Sequence, residues 1–365
     1  MKNKEINMVS CQHFLSGIGQ YGYHLSTHLQ QEGKQVHLYK PSKKGYHDNM
    51  IDRQDWVTPI SYRSLGSLHP YILPAFLSRK LLFTSKKAVF HAHWFLSGLA
   101  VSYVKKKFVV TMHDVSLLHV KEKAGYYNDY YAWTIKRFIK LGVPIITVSE
   151  NARKDAIEYG KIPETQVFAI HNGVDFQRFN TNTEDVKPDQ DRFTIVYAGG
   201  LGPRKNLKLL LEAYAVLEQK YPFLQLKIAG AFPERTPYPA YAKSLKINNI
   251  HFTGYLLDED MPNFYKQGNL MVFPSEYEGF GFAPLEAMAC GVPVLSAKGG
   301  SLLEVSGGGA ELFDYDLDDL KSKIEALIND NNRLENLKNK GQNWVTRYNW
   351  RSTAKQTEEV YQLIA

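Results

Sequence analysis

Two glutamates, Glu278 and Glu286, flank a Gly-rich turn in the stretch Ser275-Glu-Tyr-Glu-Gly-Phe-Gly-Phe-Ala-Pro-Leu-Glu-Ala-Met-Ala-Cys-Gly-Val-Pro-Val294. The apolar run Leu270-Met-Val-Phe273 before it is short enough for a buried strand. In Glu278-Gly279-Phe280-Gly281-Phe282 two glycines let the backbone approach a ligand closely. Pro284 suits the first position of a helix, Leu285 to Ala289 continue it, Glu286 falls in its first turn and Gly291 suits its end. Strand, glycine turn and helix N-terminus together present backbone N–H groups to an anion. Carboxylates beside such a site repel a bare phosphate, so the fitting ligand carries both phosphate and hydroxyl groups. A nucleotide sugar is of that kind.

A second set of groups supports the same chemistry. Phe193-Thr-Ile-Val-Tyr-Ala198 reads as a buried strand, followed by Gly199-Gly-Leu-Gly-Pro-Arg-Lys-Asn206 and an amphipathic helix from Leu207 to about Lys220. Arg204 and Lys205 precede the positive end of that helix, where cations are disfavoured. An anion between them and the N–H groups removes the conflict, and a diphosphate is such an anion. Val89-Phe-His-Ala-His-Trp94 and Phe108-Val-Val-Thr-Met-His-Asp114 read as strands ending in histidine. That places His93 and His113 at strand carboxyl ends, where α/β sheets bind ligands.

The elements that position these groups alternate strand with helix through both halves, which argues two parallel-sheet α/β domains. Ile6 to Ser10 reads as the first strand, and Ser16-Gly17-Ile18-Gly19-Gln20-Tyr21-Gly22 leads into a helix ending near Gln31. Gly17, Gly19 and Gly22 match the dinucleotide pattern Gly-x-Gly-x-x-Gly. They come too far after the strand for its tight turn, and the next strand, Val36 to Lys40, ends on lysine where an NAD ribose requires a carboxylate. Residues 41–67 read as polar and irregular. His69 to Phe83 is apolar with Arg79 and Lys80 inside it, a pattern that can lie at a membrane interface. Phe168-Ala-Ile-His-Asn-Gly-Val-Asp175 reads as the last strand of the first half, and Asp258-Glu-Asp260 as the acidic start of a helix. The expected divisions are 1–176, a polar linker 177–191, a second domain 192–345 and a final amphipathic helix in 346–365.

The chain has 365 residues and a net charge of +7. Residues 1–180 hold 24 Lys+Arg against 13 Asp+Glu, and residues 181–365 hold 20 against 24, so the first half is at +11 and the second at −4. No nucleic-acid motif accompanies the basic half, which directs it toward an anionic membrane or a lipid-phosphate acceptor; Lys105-Lys-Lys107 and Lys136-Arg137 extend that character. Cys11 and Cys290 form no disulfide framework and no metal spacing, so a reducing cytoplasm is the expected setting. The first residues lack a signal-peptide core, and no run is apolar enough to span a bilayer.

The glutamate-flanked stretch resembles the Glu-x7-Glu signature of retaining GT-B glycosyltransferases, specifically glycosyltransferase family 4. The resemblance is sharpest over 270–294, then 193–210, 108–114 and 168–175, where Asn172-Gly-Val-Asp175 is similar to the family's end of the first domain. It implies a GT-B fold: two Rossmann-like doubly wound domains facing across a cleft, with the C-terminal helix crossing back to the first and Trp350 as its anchor. It implies that Lys205 binds the donor diphosphate, that Glu286 holds the ribose hydroxyls, and that Glu278 with the 279–282 amides holds the sugar. His113 then contacts sugar or acceptor, giving His113, Glu278, Arg204 and Lys205 as the catalytic set. Gly17, Gly19, Gly199, Gly200, Gly230, Tyr255, Leu256, Gly279, Phe280, Gly281, Phe282 and Leu285 complete the implied donor site. Many members carry arginine where this chain has Gly200, which leaves Arg204 to supply the second cation.

The implied reaction is transfer of a hexose from a nucleotide diphosphate sugar to a hydroxyl of a glycan or lipid-linked acceptor. Pro203-Arg-Lys-Asn206 is similar to members that use GDP-mannose, with UDP-sugars next. No Asp-x-Asp pair stands where the phosphates are held, so no metal and no separate cofactor are expected. The expected location is cytoplasmic, with the basic half able to reach the inner membrane face. A sugar-nucleotide epimerase or hydrolase on the same fold, and a catalytically silent nucleotide-binding partner subunit, are the alternatives.

Overall fold

The computed structural model describes residues 5–12, 16–43, 54–62, 69–84, 88–104, 107–118, 126–182 and 186–364, with backbone alone at 42, 43, 61, 62 and 69. Lys105 and Lys106, linker residues 183–185, residues 1–4 and 63–68 therefore lie outside the described residues. The chain divides into two compact units, residues 1–173 with 349–365, and residues 174–348.

The first unit begins β1 (Ile6–Val9), α1 (Gly17–Gln31), β2 (Val36–Lys43), β3 (Val57–Tyr62), α2 (His69–Leu81), β4 (Val89–Ala92) and α3 (Phe95–Tyr103). It continues β5 (Phe108–Met112), α4 (Tyr126–Lys140), β6 (Ile145–Thr147), α5 (Glu150–Glu158) and β7 (Val167–Ala169). All seven strands are parallel, in the order β3-β2-β1-β4-β5-β6-β7. Ile6 stands opposite both Val36 and Val89, so β1 is an interior strand and the order reverses between β1 and β4. Strand alternation sends Val9, Phe90, Ala92, Val110 and Met112 into one core with Phe95, Tyr131, Ile135 and Phe138 of α3 and α4.

The second unit runs β8 (Phe193–Ala198), α6 (Leu207–Lys220), β9 (Leu224–Ala229), α7 (Tyr238–Ser244), β10 (Ile250–Gly254), α8 (Met261–Lys266) and β11 (Leu270–Phe273). Then come α9 (Phe282–Ala289), β12 (Val294–Ala297), α10 (Leu302–Val305), β13 (Glu311–Phe313), α11 (Leu317–Asn329) and α12 (Asn331–Val345). Its six parallel strands are ordered β10-β9-β8-β11-β12-β13, reversing between β8 and β11. The last helix, α13 (Trp350–Gln362), belongs to the first unit and packs on α1. Asn349 caps it through Ser352 N–H, and the buried Trp350 ring stacks on His24 at 5.2 Å.

Several local expectations are corrected. Residues 41–67 are not wholly irregular, because β2 continues to Lys43 and pairs with the missed strand β3. Pro59 in β3 masked it, yet proline is tolerated on the edge strand that β3 forms. The strand expected over 168–175 stops at Ala169. Gly17 and Gly19 do not form a loop; they lie in the first turn of α1, capped by Ser16. Helix α9 starts at Phe282, two residues before Pro284, because Gly281 takes the left-handed conformation (φ +94°) that ends the turn. Glu286 is consequently in its second turn. Asp258–Asp260 precede α8 instead of opening it.

Candidate active site

The loops leaving β8 and β11 both emerge at the reversal point of the second sheet, the place where parallel α/β sheets hold ligands. Two hydrogen bonds tie them: Glu276 N–H donates to the Arg204 carbonyl at 2.8 Å, and Ser275 Oγ to the same carbonyl at 3.3 Å. That seam brings Lys205 Nζ to 2.5 Å from Glu278 Oε1, with the two side chains 14% and 10% exposed. Lys205 ends a short 3-10 turn, Pro203–Lys205, closed by Asn206 at φ +49°, a conformation asparagine tolerates. Its ammonium also lies 5.9 Å from the centroid of the Phe273 ring. Glu278 is held from behind by Ser301 N–H, which donates to the Glu278 carbonyl at 3.1 Å. Gly300 makes that approach possible, since it sits at φ +54° and a Cβ there would come within 2.8 Å of Glu278 N.

Glu286 occupies a different electrostatic setting on the same unit. The buried Tyr265 hydroxyl donates to its Oε2 at 2.8 Å. Arg178 bridges Asp175 at 3.7 Å and Asp258 at 3.6 Å nearby. Removal from water pushes the Glu286 carboxyl up to about 7; Asp258 and Asp175 add to the rise, while the Tyr265 hydroxyl and Arg178 oppose it. Burial, with the Glu286 charge next, raises the Tyr265 phenol well above its ordinary range, so it remains a donor. An ionised Glu286 offers its lone pairs to a pair of vicinal hydroxyls, as a ribose presents.

In the first unit His113 follows β5 and His93 follows β4, next to that sheet's own reversal point. Burial lowers the His113 imidazole to about 3, against an opposing hydrogen bond with the His93 backbone. Among the described residues its buried Nε2 has no partner, so the bond to His93 is made by the other nitrogen. A neutral ring donating from that nitrogen to a carbonyl leaves Nε2 as an acceptor. Tyr21 packs edge-on to His113 at 4.9 Å, and the Asp114 carboxylate accepts from Ser116 N–H and Oγ, fixing the turn. His91 is held between Tyr361 and Thr111, each at 2.7 Å, and is lowered to about 3 chiefly by burial. His93 packs over Gly22, where a Cβ would meet its Nδ1 at 2.4 Å.

Against known proteins, residues 15–178 match the model described as Glycosyltransferase Family 4, and residues 179–344 match Glycosyl transferases group 1. The chain belongs to the group 1 glycosyltransferases. It is 29% identical over 280 residues to the serotype-specific mannosyltransferase WbdA of Escherichia coli, covering 72% of this chain and 34% of that one. The chain thus spans about a third of the length of WbdA. It is 26% identical to the O-antigen chain mannosyltransferase B of Escherichia coli, covering 70% of each. Among solved structures, sucrose-phosphate synthase of Thermosynechococcus elongatus superposes with a TM-score of 0.82 over 99% of both chains at 19% identity. WaaG, a glycosyltransferase involved in lipopolysaccharide biosynthesis, gives a TM-score of 0.74 at 14% identity over 99% of both chains. These neighbours carry the fold, GT-B.

Within this glycosyltransferase the second unit gathers Gly199, Gly200, Arg204, Lys205, Glu278, Gly279 and Gly281 around the seam between the two loops. Gly230 packs against Leu201 of the first loop, where a Cβ would stand 2.7 Å from the leucine side chain. Tyr255 is exposed and Leu256 half-buried after β10. Leu285 is fully buried and Phe280 nearly so, with Phe280 packed on Phe282 and Tyr348, so these side chains belong to the core and leave only their backbone to face a ligand. The Gly19 amide donates to Ser16 Oγ at 3.1 Å, because Ser16 caps α1. The glycines after β12 serve loop-on-loop packing: a Cβ on Gly299 would strike the Tyr315 hydroxyl and the Glu276 carbonyl. Tyr265, Arg178, Asp175 and Asp258 escape a reading of the sequence, since nothing local to them announces a shared partner.

Proposed function

We propose that this chain is a retaining hexosyltransferase that takes a nucleotide diphosphate sugar as donor and a hydroxyl of a glycan or lipid-linked glycan as acceptor. The observation that carries the reading is the meeting of Lys205 with Glu278 at the reversal point of the second sheet, on the same unit as Glu286. Departure of a nucleoside diphosphate develops charge on its β-phosphate. Lys205 and Arg204, with neighbouring backbone amides, stabilise that charge; loss of one such contact costs roughly 3 kcal/mol. Glu286 accepts from the ribose hydroxyls and Glu278 from the sugar. His113 accepts a hydrogen bond through Nε2 from a hydroxyl of sugar or acceptor and stays neutral. The cationic side chains take the role a metal holds in other phosphate sites, so donor binding is expected to be indifferent to magnesium.

GDP-mannose is the preferred donor in this reading, because the relatives include mannosyltransferases of Escherichia coli and Pro203-Arg-Lys-Asn206 resembles the form found in members that use it. UDP-sugars stand next, HepE of Anabaena having been solved with UDP and glucose. Calorimetry with GDP, UDP and ADP, with and without magnesium, tests the reading. Micromolar, magnesium-independent binding of one nucleotide, lost in Glu286→Ala, is the expected result; no binding of any nucleotide defeats it.

The basic unit is proposed to rest on an anionic membrane through α2 and α4. Tyr71, Phe76 and Trp133 are exposed on these helices; Tyr71 packs on Tyr130, and Tyr130 stacks on Trp133. The two helices carry Arg79, Lys80, Lys136, Arg137 and Lys140 against Asp129 alone. Aromatic rings among cations suit the headgroup region. Among the described residues no helix is long and apolar enough to cross a bilayer.

A further inference from the structure

The partner of Lys205 carries a consequence for selectivity. Glu278 has only 7% of its surface exposed, and a buried carboxylate needs a cation or hydrogen-bond donors. The two nearby phenols have committed their protons elsewhere: Tyr197 Oη donates to the Gly200 carbonyl at 2.7 Å, and Tyr315 Oη to the Ser275 carbonyl at 3.0 Å. Lys205 at 2.5 Å is therefore the charge partner of this carboxylate. A diphosphate reaching Lys205 competes with Glu278 for the same ammonium and meets the carboxylate's repulsion. Drawing the ammonium away leaves Glu278 buried with its cation withdrawn, which is costly. Sugar hydroxyls are donors, and hydrogen bonds from them to an ionised carboxylate are strong.

Resting on the donor-site reading above, we propose that the Lys205–Glu278 pair is a selectivity device that makes a bare nucleoside diphosphate bind several-fold more weakly than the same nucleotide carrying a hexose. The diphosphate takes Lys205, the hexose hydroxyls replace Lys205 at Glu278, and only the sugar-bearing nucleotide satisfies both groups. After transfer the hexose is gone from the diphosphate, and re-formation of the ion pair favours its release.

Glu278→Gln isolates the effect, because the amide keeps the shape and removes the charge that competes for Lys205. Calorimetry is run with GDP against GDP-mannose and UDP against UDP-glucose, on the full chain and on the variant, with a thermal melt to establish that the variant is folded. The expected result is that Glu278→Gln binds the bare nucleoside diphosphate roughly five-fold more tightly, the range set by a partly screened ion pair of about 1 kcal/mol. Its preference for the sugar-bearing form should shrink by at least the same factor. A folded variant that binds the bare nucleotide no better than the parent, while the parent binds normally, overturns the selectivity device and leaves the donor site standing. A parent chain that binds neither form overturns the donor-site reading itself. A variant that fails to fold is replaced by the parent chain in a salt series. There the ratio of sugar-bearing to bare affinity must change with ionic strength, and a constant ratio overturns the proposal.

Discussion

Replacing Tyr265 with phenylalanine removes one oxygen and leaves the aromatic packing against Phe179 in place. The hydroxyl donates to Glu286 Oε2 at 2.8 Å and is one of two groups that hold the carboxyl down against burial. A hydrogen bond to an ionised group contributes roughly 1.5–3 kcal/mol. At about 1.4 kcal/mol per unit, its loss moves the Glu286 carboxyl from about 7 to roughly 8 or above. The direction follows from the charge states: the phenol stabilises the ionised form, so removing it favours the proton. Donor binding through ribose hydroxyls needs the ionised form, so affinity falls as pH drops through the carboxyl's pKa. The parent is half ionised near pH 7, and the variant is then ionised to roughly one part in ten. The assay is kcat/KM for the donor from pH 5.5 to 9.5 at saturating acceptor. The acid limb should shift upward by about one unit in Tyr265→Phe, with a deficit of about five-fold at pH 7 that closes above pH 9. An unchanged acid limb, or an equal loss at every pH, refutes the assignment of Glu286 to the donor and of Tyr265 to its control.

Gly173→Ala places a Cβ 2.2 Å from the Trp350 backbone nitrogen and 2.6 Å from the Asn349 carbonyl carbon, so main chain must move. A cost of about 1–3 kcal/mol and a lowered melting temperature are expected, whereas Gly202→Ala, with open space around its Cβ, should melt as the parent does. Arg79→Ser with Lys80→Ser should weaken sedimentation with phosphatidylglycerol vesicles by about 1 kcal/mol per charge removed and leave phosphatidylcholine unaffected. Equal sedimentation of parent and variant would remove α2 from any membrane contact.

Much of the site is legible in the sequence because its parts are local. Gly281 at a left-handed turn, the strand before it and the helix after it are decided by residues within a few positions of one another. The same holds for Lys205 beside the start of α6, and for His93 and His113 at the ends of β4 and β5. Local rules also mislead. Pro284 looks like a helix start, but the left-handed glycine sets the true one, and Pro59 hides an edge strand whose identity depends on its neighbour β2. Leu285 carries the family pattern yet faces the core, since position in a motif does not reveal which way a helix turns its side chains.

The sequence by itself determined the alternation of strand and helix, the two parallel sheets it implies, the glycine turns at strand ends and the residue types able to meet a phosphate and a hydroxyl. Those features follow from hydrophobic periodicity, glycine's backbone freedom and helix-end chemistry, all short-range along the chain. Only the tertiary structure decided that Lys205 and Glu278, 73 residues apart, are each other's charge partner. It alone placed Tyr265, Arg178 and Asp258 around Glu286 and left His113 neutral with Nε2 as an acceptor. Ionisation states and ion pairs depend on desolvation and on charges brought near through space, and those distances are set by the sheets that the chain folds into.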